Sequence, residues 1–425
     1  MPSRPLLSIL LPSRNRLDLL TLALASVIAE GKTHLEVVVS DNASDQDYGG
    51  YLARVKFPIR YIRQDRPLPV TENWNRALEA AEGRYVVMLG DDDALSPGFV
   101  RRILDVVDAF DQPEVIYMMA YHYAYPGVFS GNPLGYFCTV DNSPLFAGAG
   151  EPYELLPERS RELARQALRF CHRISFNAQH FVWRRDFARR MAGGPFFQSP
   201  YPDYFACFMT FLNAKRMVVM PTPQIIIGIA RQSYGYFHAN NRESEGQASF
   251  LSAAPDEADL AQGDAALLAA LRFPGSQHYR NWLIAALQTR RVMQPVESLT
   301  IDLRRYRRIQ LATMAHQAVH AKTLSRADFW RALAPLPERD RAFGRQILRA
   351  YLTLDRIATV PRDAAFTGFD QLLSTYHPAR LEFHEIGKYR DIMDAFDWLA
   401  ERDGIVKAEG TMPSVAGSPA GSSSA

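Results

Sequence analysis

Apolar residues fall in short unbroken runs in the first third of the chain and in spaced, helical patterns after it. "LLSILLPS" (6–13), "HLEVVVSD" (34–41), "FPIRYIRQ" (57–64), "RYVVMLG" (84–90) and "EVIYMMAY" (114–121) have strand length and strand composition. Helical periods lie between them. "RLDLLTLALASVIAEG" (16–31) is closed by Gly31, and "TENWNRALEAAEG" (71–83) has Thr71 as N-cap. "SPGFVRRILDVVDAF" (96–110) has Ser96 as cap and Pro97 in the first turn. Strands alternating with helices predict a mostly parallel, Rossmann-type α/β sheet with flanking helices. Ligands of such sheets collect outside the carboxyl ends of the strands, where "SD" (40–41) and "GDDD" (90–93) fall.

The pattern then changes. Residues 125–160 are rich in Gly, Pro and aromatics and read as a long irregular insertion. "FVWRRDFARRM" (181–191) reads as strand then helix, and "PDYFACFMTFLNA" (202–214) as helix. "RMVVMPTPQIIIGIAR" (216–231) reads as two short strands around a Pro-rich turn. A polar stretch, 238–264, precedes a helical pattern from about 265 to 403, whose last helix runs through "EIGKYRDIMDAFDWLAER" (385–402). The small, polar residues 408–425 cannot bury an apolar face and are expected to be disordered. The expected parts are an α/β unit over 1–240, an α-helical C-terminal domain over 241–407 and a tail over 408–425.

Composition narrows the classes. A chain of 425 residues with 47% hydrophobic and 22% charged residues is an ordinary globular protein. Its net charge of +2 does not suggest a nucleic-acid binder. Cys138, Cys171 and Cys207 are scattered, which argues against a disulfide scaffold or a zinc site and fits a reducing, cytoplasmic setting. No apolar stretch reaches the ~20 residues of a membrane span. The opening "MPSRPLLSILLPSRNR" loosely imitates a signal peptide, but its apolar run is too short.

Asp91, Asp92 and Asp93 repel one another, and a divalent cation at the strand end would relieve that repulsion. Mg²⁺ typically takes one or two protein carboxylates and lets substrate phosphates complete its shell. The alternative is an acidic turn favoured by the following helix N-terminus. No G-x-G-x-x-G or P-loop occurs, which argues against dehydrogenases and P-loop kinases.

"SILLPSRNRLDLLTLALASV", "LEVVVSDNASD" and "ENWNRALEAAEGRYVVMLGDDD", in this order and spacing, resemble the family 2 inverting glycosyltransferases of GT-A fold. The resemblance covers residues 6 to about 235 and is strongest over 6–110. It implies a nucleoside-diphosphate-sugar donor, in particular a UDP-sugar, and Mn²⁺ or Mg²⁺. It implies that Pro12, Ser13 and Arg14 hold the base, with Arg14 departing from the family's usual residue, and that Asp41 hydrogen-bonds the base. The acidic triplet matches Asp91 at the ribose and Asp93 at the metal, with Asp92 able to replace either. Inverting transfer needs a base to deprotonate the acceptor hydroxyl. The family's position matches Asp203, whose alternative reading is an N-terminal cap of the helix it precedes. Arg231 matches a phosphate partner and His238 a metal ligand, though a lone His is more often an ordinary surface or packed residue. Tyr234, Tyr236 and Phe237 read as a lid, an acceptor platform or core. The acceptor implied is a polysaccharide or lipid-linked saccharide. Arg304, Arg305, Arg307 and Arg308 share one helix face, read as solvated or as contacting an anionic membrane surface at the cytoplasmic side; an oligomer interface in the helical domain is a further expectation. The alternatives are a nucleotidyltransferase, which usually opens with a Gly-rich basic loop absent from "LPSRNRLD", and an inactive glycosyltransferase-like scaffold.

Overall fold

A computed structural model describes residues 5–129, 131–141, 143–198, 200–240, 242–356, 380–408 and 412–413. Its strands, in chain order, are β1 (Leu7–Ser13), β2 (Leu35–Asp41), β3 (Ile59–Arg63), β4 (Tyr85–Met88), β5 (Ala94–Leu95) and β6 (Val115–Ala124). They continue with β7 (Tyr136–Asp141), β8 (Tyr153–Leu155), β9 (Phe181–Arg184), β10 (Met217–Ile229) and β11 (Arg380–Phe383). All join one sheet in the order β11-β7-β6-β9-β4-β1-β2-β3, with β10 pairing β5, β6 and β8. The expected α/β architecture, with helices on both faces and a helical region after it, is the one found. Strands β3, β2, β1 and β4 are parallel, and β9 joins β4 to β6 antiparallel.

Every residue of β1 and β2 is buried, which explains why their sequences are apolar runs rather than alternations. Leu7, Ile9 and Leu11 face the helices Leu17–Ile28 and Phe99–Ala109. Leu10, Val86 and Met88 face the opposite core, with helices Val70–Ala80, Pro157–Leu168 and Pro202–Asn213.

Several expectations are corrected. The segment 216–231 is one strand, β10, because Pro221 and Pro223 fall where its register with β6 shifts, a place where missing N–H donors are tolerated. The insertion 125–160 contains β7 and β8. The helix after β5 starts at Phe99, and its N-terminal amides Gly98 and Val100 donate to the Glu30 carboxylate; Ser96 instead donates to the Gln224 carbonyl. The last helix is Ile392–Arg402, shorter than the sequence pattern.

Residue 240 is not a break in packing. Helix Gln277–Met293 buries Trp282, Leu283 and Ile284 in the same core as Phe205 and Phe208 of Pro202–Asn213, and Trp282 Nε1 donates to the Ala167 carbonyl at 2.9 Å. A separate cluster holds Leu311, Phe329, Leu348 and Tyr351. The chain then returns to the sheet: β11 pairs β7, and Ile392, Phe396 and Leu399 pack on Tyr121, Tyr123 and Phe137. The span 380–408 therefore belongs by packing to the α/β unit, not to a helical domain ending at 407. Most of 408–425 lies outside the described residues, but the Ala408 amide donates to the Ala29 carbonyl and Met412 packs on the core.

Candidate active site

A cavity of about 580 Å³ opens beyond the carboxyl ends of β1 and β4. Ser13, Arg14, Asn42, the acidic triplet, Asn177, Gln179, Asp203 and Gly228 are among its lining residues.

The three aspartates have different surroundings. Asp91 accepts from the Ser13 hydroxyl at 2.7 Å and from Arg16 Nη1 at 3.0 Å. Asp93 accepts from the amides of Gly90 and Gly228 and from Gln179 Nε2, each at 2.8 Å. Burial pushes its pKa up to about 6, against the opposing pull of those donors. Asp92 is also buried, but its Oδ2 has no hydrogen-bond partner. Burial first, and then the adjacent Asp93 and Asp91, hold its carboxyl well above the usual carboxylate range. Gly228 is required here by space: a Cβ would sit 1.7 Å from the Asp92 carbonyl oxygen.

Asp203 lies in the first turn of Pro202–Asn213 and lines the same cavity. It is not that helix's N-cap, which is Tyr201. Its Oδ1 accepts from the Ala178 amide at 2.9 Å, and burial raises its pKa to about 7. The next residue, Gln179, holds Asp93, so one short turn links the two carboxylates.

Of the residues expected from sequence, Pro12, Ser13, Arg14, the triplet, Asp203 and His238 line the cavity. Asp41 and Arg231 do not. Asp41 is fully buried, and its carboxylate accepts from the Ser44 amide, the Tyr61 hydroxyl and Arg63 Nη1 at 2.8–2.9 Å; Asn42 lines the cavity in its place. Arg231 is exposed and runs past Gly127. His238 is paired with Glu243 at 2.5 Å, which occupies Nδ1, and its ring lies tilted 4.8 Å from that of His278. Tyr234 lines the cavity, whereas Tyr236 and Phe237 do not. The Arg304–Arg308 face is half-buried: Arg307 pairs with Asp340 at 3.2 Å, and Arg308 lies 5.0 Å from the Phe343 ring. Two of its arginines are thus turned inward.

Sequence reading missed Arg16 and Gln179. Arg16 joins Asp91, the Gln232 carbonyl and the face of Phe250, which are far apart in the chain. Asp91 and Asp92 raise its pKa against the opposing effect of burial. The signal available was a second basic residue within four positions of the β1 end. Among the described residues, no group of three His, Cys, Asp or Glu is set to hold a metal ion by itself. Among the described residues, no helix is long and apolar enough to cross a membrane.

Comparison with known proteins adds three likenesses. The putative colanic acid biosynthesis glycosyl transferase WcaA of Escherichia coli (strain K12) is 30% identical over 100 residues, 23% of this chain and 36% of that protein. The GalNAc(5)-diNAcBac-PP-undecaprenol beta-1,3-glucosyltransferase of Campylobacter jejuni is 30% identical over 107 residues, 24% of this chain and 34% of that one. S. aureus TarS 1–349 in complex with UDP-GlcNAc matches with a TM-score of 0.44 and 14% identity, over 82% of this chain and 91% of that one. The chain spans 28–38% of the length of the curated relatives it matches. The family model described as glycosyl transferase family 2 matches residues 8–177, less than half of the chain. The stretch similar to glycosyl transferase family 2 holds β1, β2 and the acidic triplet.

Proposed function

We propose that the cavity binds a nucleoside-diphosphate sugar, specifically a UDP-sugar, together with a divalent cation. The sugar passes with inversion to a saccharide or lipid-linked saccharide acceptor, in polysaccharide biosynthesis. The observation that carries this reading is that the acidic triplet and Asp203 line one cavity and are joined through Ala178 and Gln179. Pro12, Ser13, Arg14 and Asn42 hold the nucleoside, and Asp91 the ribose. Arg16, not Arg231, is the arginine within reach of the diphosphate.

The donor set fits Mg²⁺ or Mn²⁺. A buried carboxylate oxygen without a partner, Asp92 Oδ2, lacks the compensation such a group needs, and a hard cation supplies it. Asp92 is therefore the primary ligand, and Asp93, already held by three donors, supports it. When bound, the cation neutralises the charge that develops on the departing diphosphate.

Asp203 accepts the proton of the acceptor hydroxyl as that oxygen bonds to the anomeric carbon. The bond from that carbon to the diphosphate oxygen breaks on the opposite face, and its electron pair leaves with the nucleotide. A base with a pKa of about 7 is matched to neutral pH, where an ordinary aspartate is too weak.

The test is UDP release from UDP-glucose, UDP-galactose and UDP-N-acetylglucosamine, with Mg²⁺ or Mn²⁺ and with chelator. Metal-dependent release from at least one supports the reading. Release of pyrophosphate from a nucleoside triphosphate and a sugar 1-phosphate, with no UDP release, would instead favour a nucleotidyltransferase. No binding of any nucleotide would leave a scaffold.

A further inference from the structure

The end of the cavity beside β1 and β2 is lined by several polar side chains, and nearly all of them are already engaged. Asn15 binds residue 45 through both amide atoms: Nδ2 donates to Asp45 Oδ2 at 3.1 Å, and Oδ1 accepts from the Asp45 amide at 2.7 Å. Asn42 does the same with Leu68, at 2.8 Å each way. Asn73 Oδ1 accepts from the Ser40 hydroxyl at 2.7 Å, and its Nδ2 donates to the Ser40 carbonyl at 3.1 Å. The Ser13 hydroxyl meets Asp91 and Tyr48, and Arg16 meets Asp91, the Gln232 carbonyl and the Phe250 ring.

Arg14 is the exception. It lines the cavity, its Nε is buried without a hydrogen-bond partner, and its guanidinium makes no ion pair among the described residues. Buried donors normally find partners, so this one calls for an acceptor brought by a ligand. Ser13 and Arg16, on either side of it, both bond Asp91, whereas Arg14 reaches none of the three aspartates. It therefore stands apart from the end assigned to the cation and the diphosphate.

The chemistry of Arg14 is one-sided. A guanidinium offers paired N–H donors in a fixed plane and no acceptor. Asp41, the carboxylate expected to accept an N–H of the base, lies outside the cavity and is held by the Ser44 amide, the Tyr61 hydroxyl and Arg63. The base is then favoured by its acceptors. Guanine shows O6 and N7 side by side, which an arginine takes bidentately. Adenine shows N7 beside an amino group, which meets the guanidinium donor against donor. Uracil carries its carbonyls on either side of N3–H, a donor that Asp41 is not placed to receive.

We propose that Arg14, not Asp41, reads the base by pairing its guanidinium with adjacent acceptors on the ring edge, and that the cavity takes guanosine diphosphate sugars at least as well as uridine diphosphate sugars. The inference rests on the nucleotide-sugar reading and widens its base beyond uracil.

The test is calorimetry on the full chain in Mg²⁺ with GDP, UDP and ADP, for the wild type, Arg14→Lys and Arg14→Met. In the wild type, GDP is expected to bind at least as tightly as UDP and about tenfold more tightly than ADP. Arg14→Lys keeps the charge and loses the paired donors, so GDP affinity should fall by about tenfold. Arg14→Met should show the same fall. ADP affinity should not drop in either variant, which also reports that the fold is intact. Tighter binding of UDP than of GDP, GDP binding no tighter than ADP, or a GDP-to-ADP ratio unchanged in both variants overturns the inference and leaves the nucleotide-sugar reading standing. So does an equal loss for all three nucleotides in Arg14→Met, the mark of a phosphate partner. A wild type that binds none of the three removes the nucleotide-sugar reading, and the inference with it.

Discussion

Asp41 closes β2 and Asp92 follows β4, two strands that flank β1, and both carboxylates are buried. Asp41 is surrounded by donors: a backbone amide, a phenol and a guanidinium. Asp92 has an oxygen with none, and two further carboxylates beside it. The two strand ends look alike in sequence, each an apolar run ending in aspartate. Their partners differ, and partners decide whether a buried carboxylate is a structural element or a site awaiting a ligand. The first pins the β2–β3 edge, and the second faces the cavity.

The sharpest way to break this contrast is Asp92→Asn. Metal-dependent UDP affinity should fall by about a hundredfold or more, because even residues that only orient a metal's ligands cost 10–100-fold. Turnover should vanish. Stability should move the other way. The folded pKa of Asp92 is raised, so the wild type loses stability as pH rises from the ordinary carboxylate range through that folded value, whereas the amide does not. The variant should therefore melt above wild type at pH 8. Unchanged UDP affinity in calorimetry would remove Asp92 from the site.

Gly228→Ala comes next. A Cβ placed against the Asp92 carbonyl forces the triplet to shift, and overpacking of this kind typically costs about 1–3 kcal/mol. UDP affinity should drop by about tenfold, with a lower melting temperature. Retained affinity would show that the triplet's position is not set by β10.

Asp41→Asn should give the mirror image of Asp92→Asn with the smallest effect on binding. The amide nitrogen would face the Tyr61 hydroxyl and Arg63, donor against donor. A loss of about 1–3 kcal/mol is expected in denaturant unfolding, with UDP affinity within about twofold of wild type. A large loss of UDP affinity with normal stability would return Asp41 to the base-binding role that its sequence context implies.

The sequence made the parallel core legible because β1, β2 and β4 are buried on both faces and carry uninterrupted apolar runs. It was less informative where context decides. The Pro-rich centre of β10 looks like a turn, and only its pairing with β6 shows a continuous strand with a register shift. β11 is a short exposed edge strand with no burial to pattern it. The return of Ile392, Phe396 and Leu399 to the sheet is a long-range choice that an amphipathic period cannot specify. In the site, the triplet was visible because it is local. Arg16 and Gln179 reach Asp91 and Asp93 across 75 and 86 residues, and no spacing announces such contacts. Arg231 looked suitable by type and lies outside the cavity.

Asp203→Asn, measured for both UDP affinity and transfer rate on one preparation, tests the central claim most directly. The side chain keeps its size and can still accept from the Ala178 amide, so the fold and nucleotide binding should stay near wild type. Turnover should fall by about 10²–10⁴-fold, the usual contribution of a positioned base. In the wild type, kcat should rise with pH through about 7 as Asp203 ionises, and the residual rate of the variant should lack that limb. A variant that retains turnover and the same pH profile would contradict the account and leave Asp203 as a tether between the helix Pro202–Asn213 and the Asn177–His180 turn.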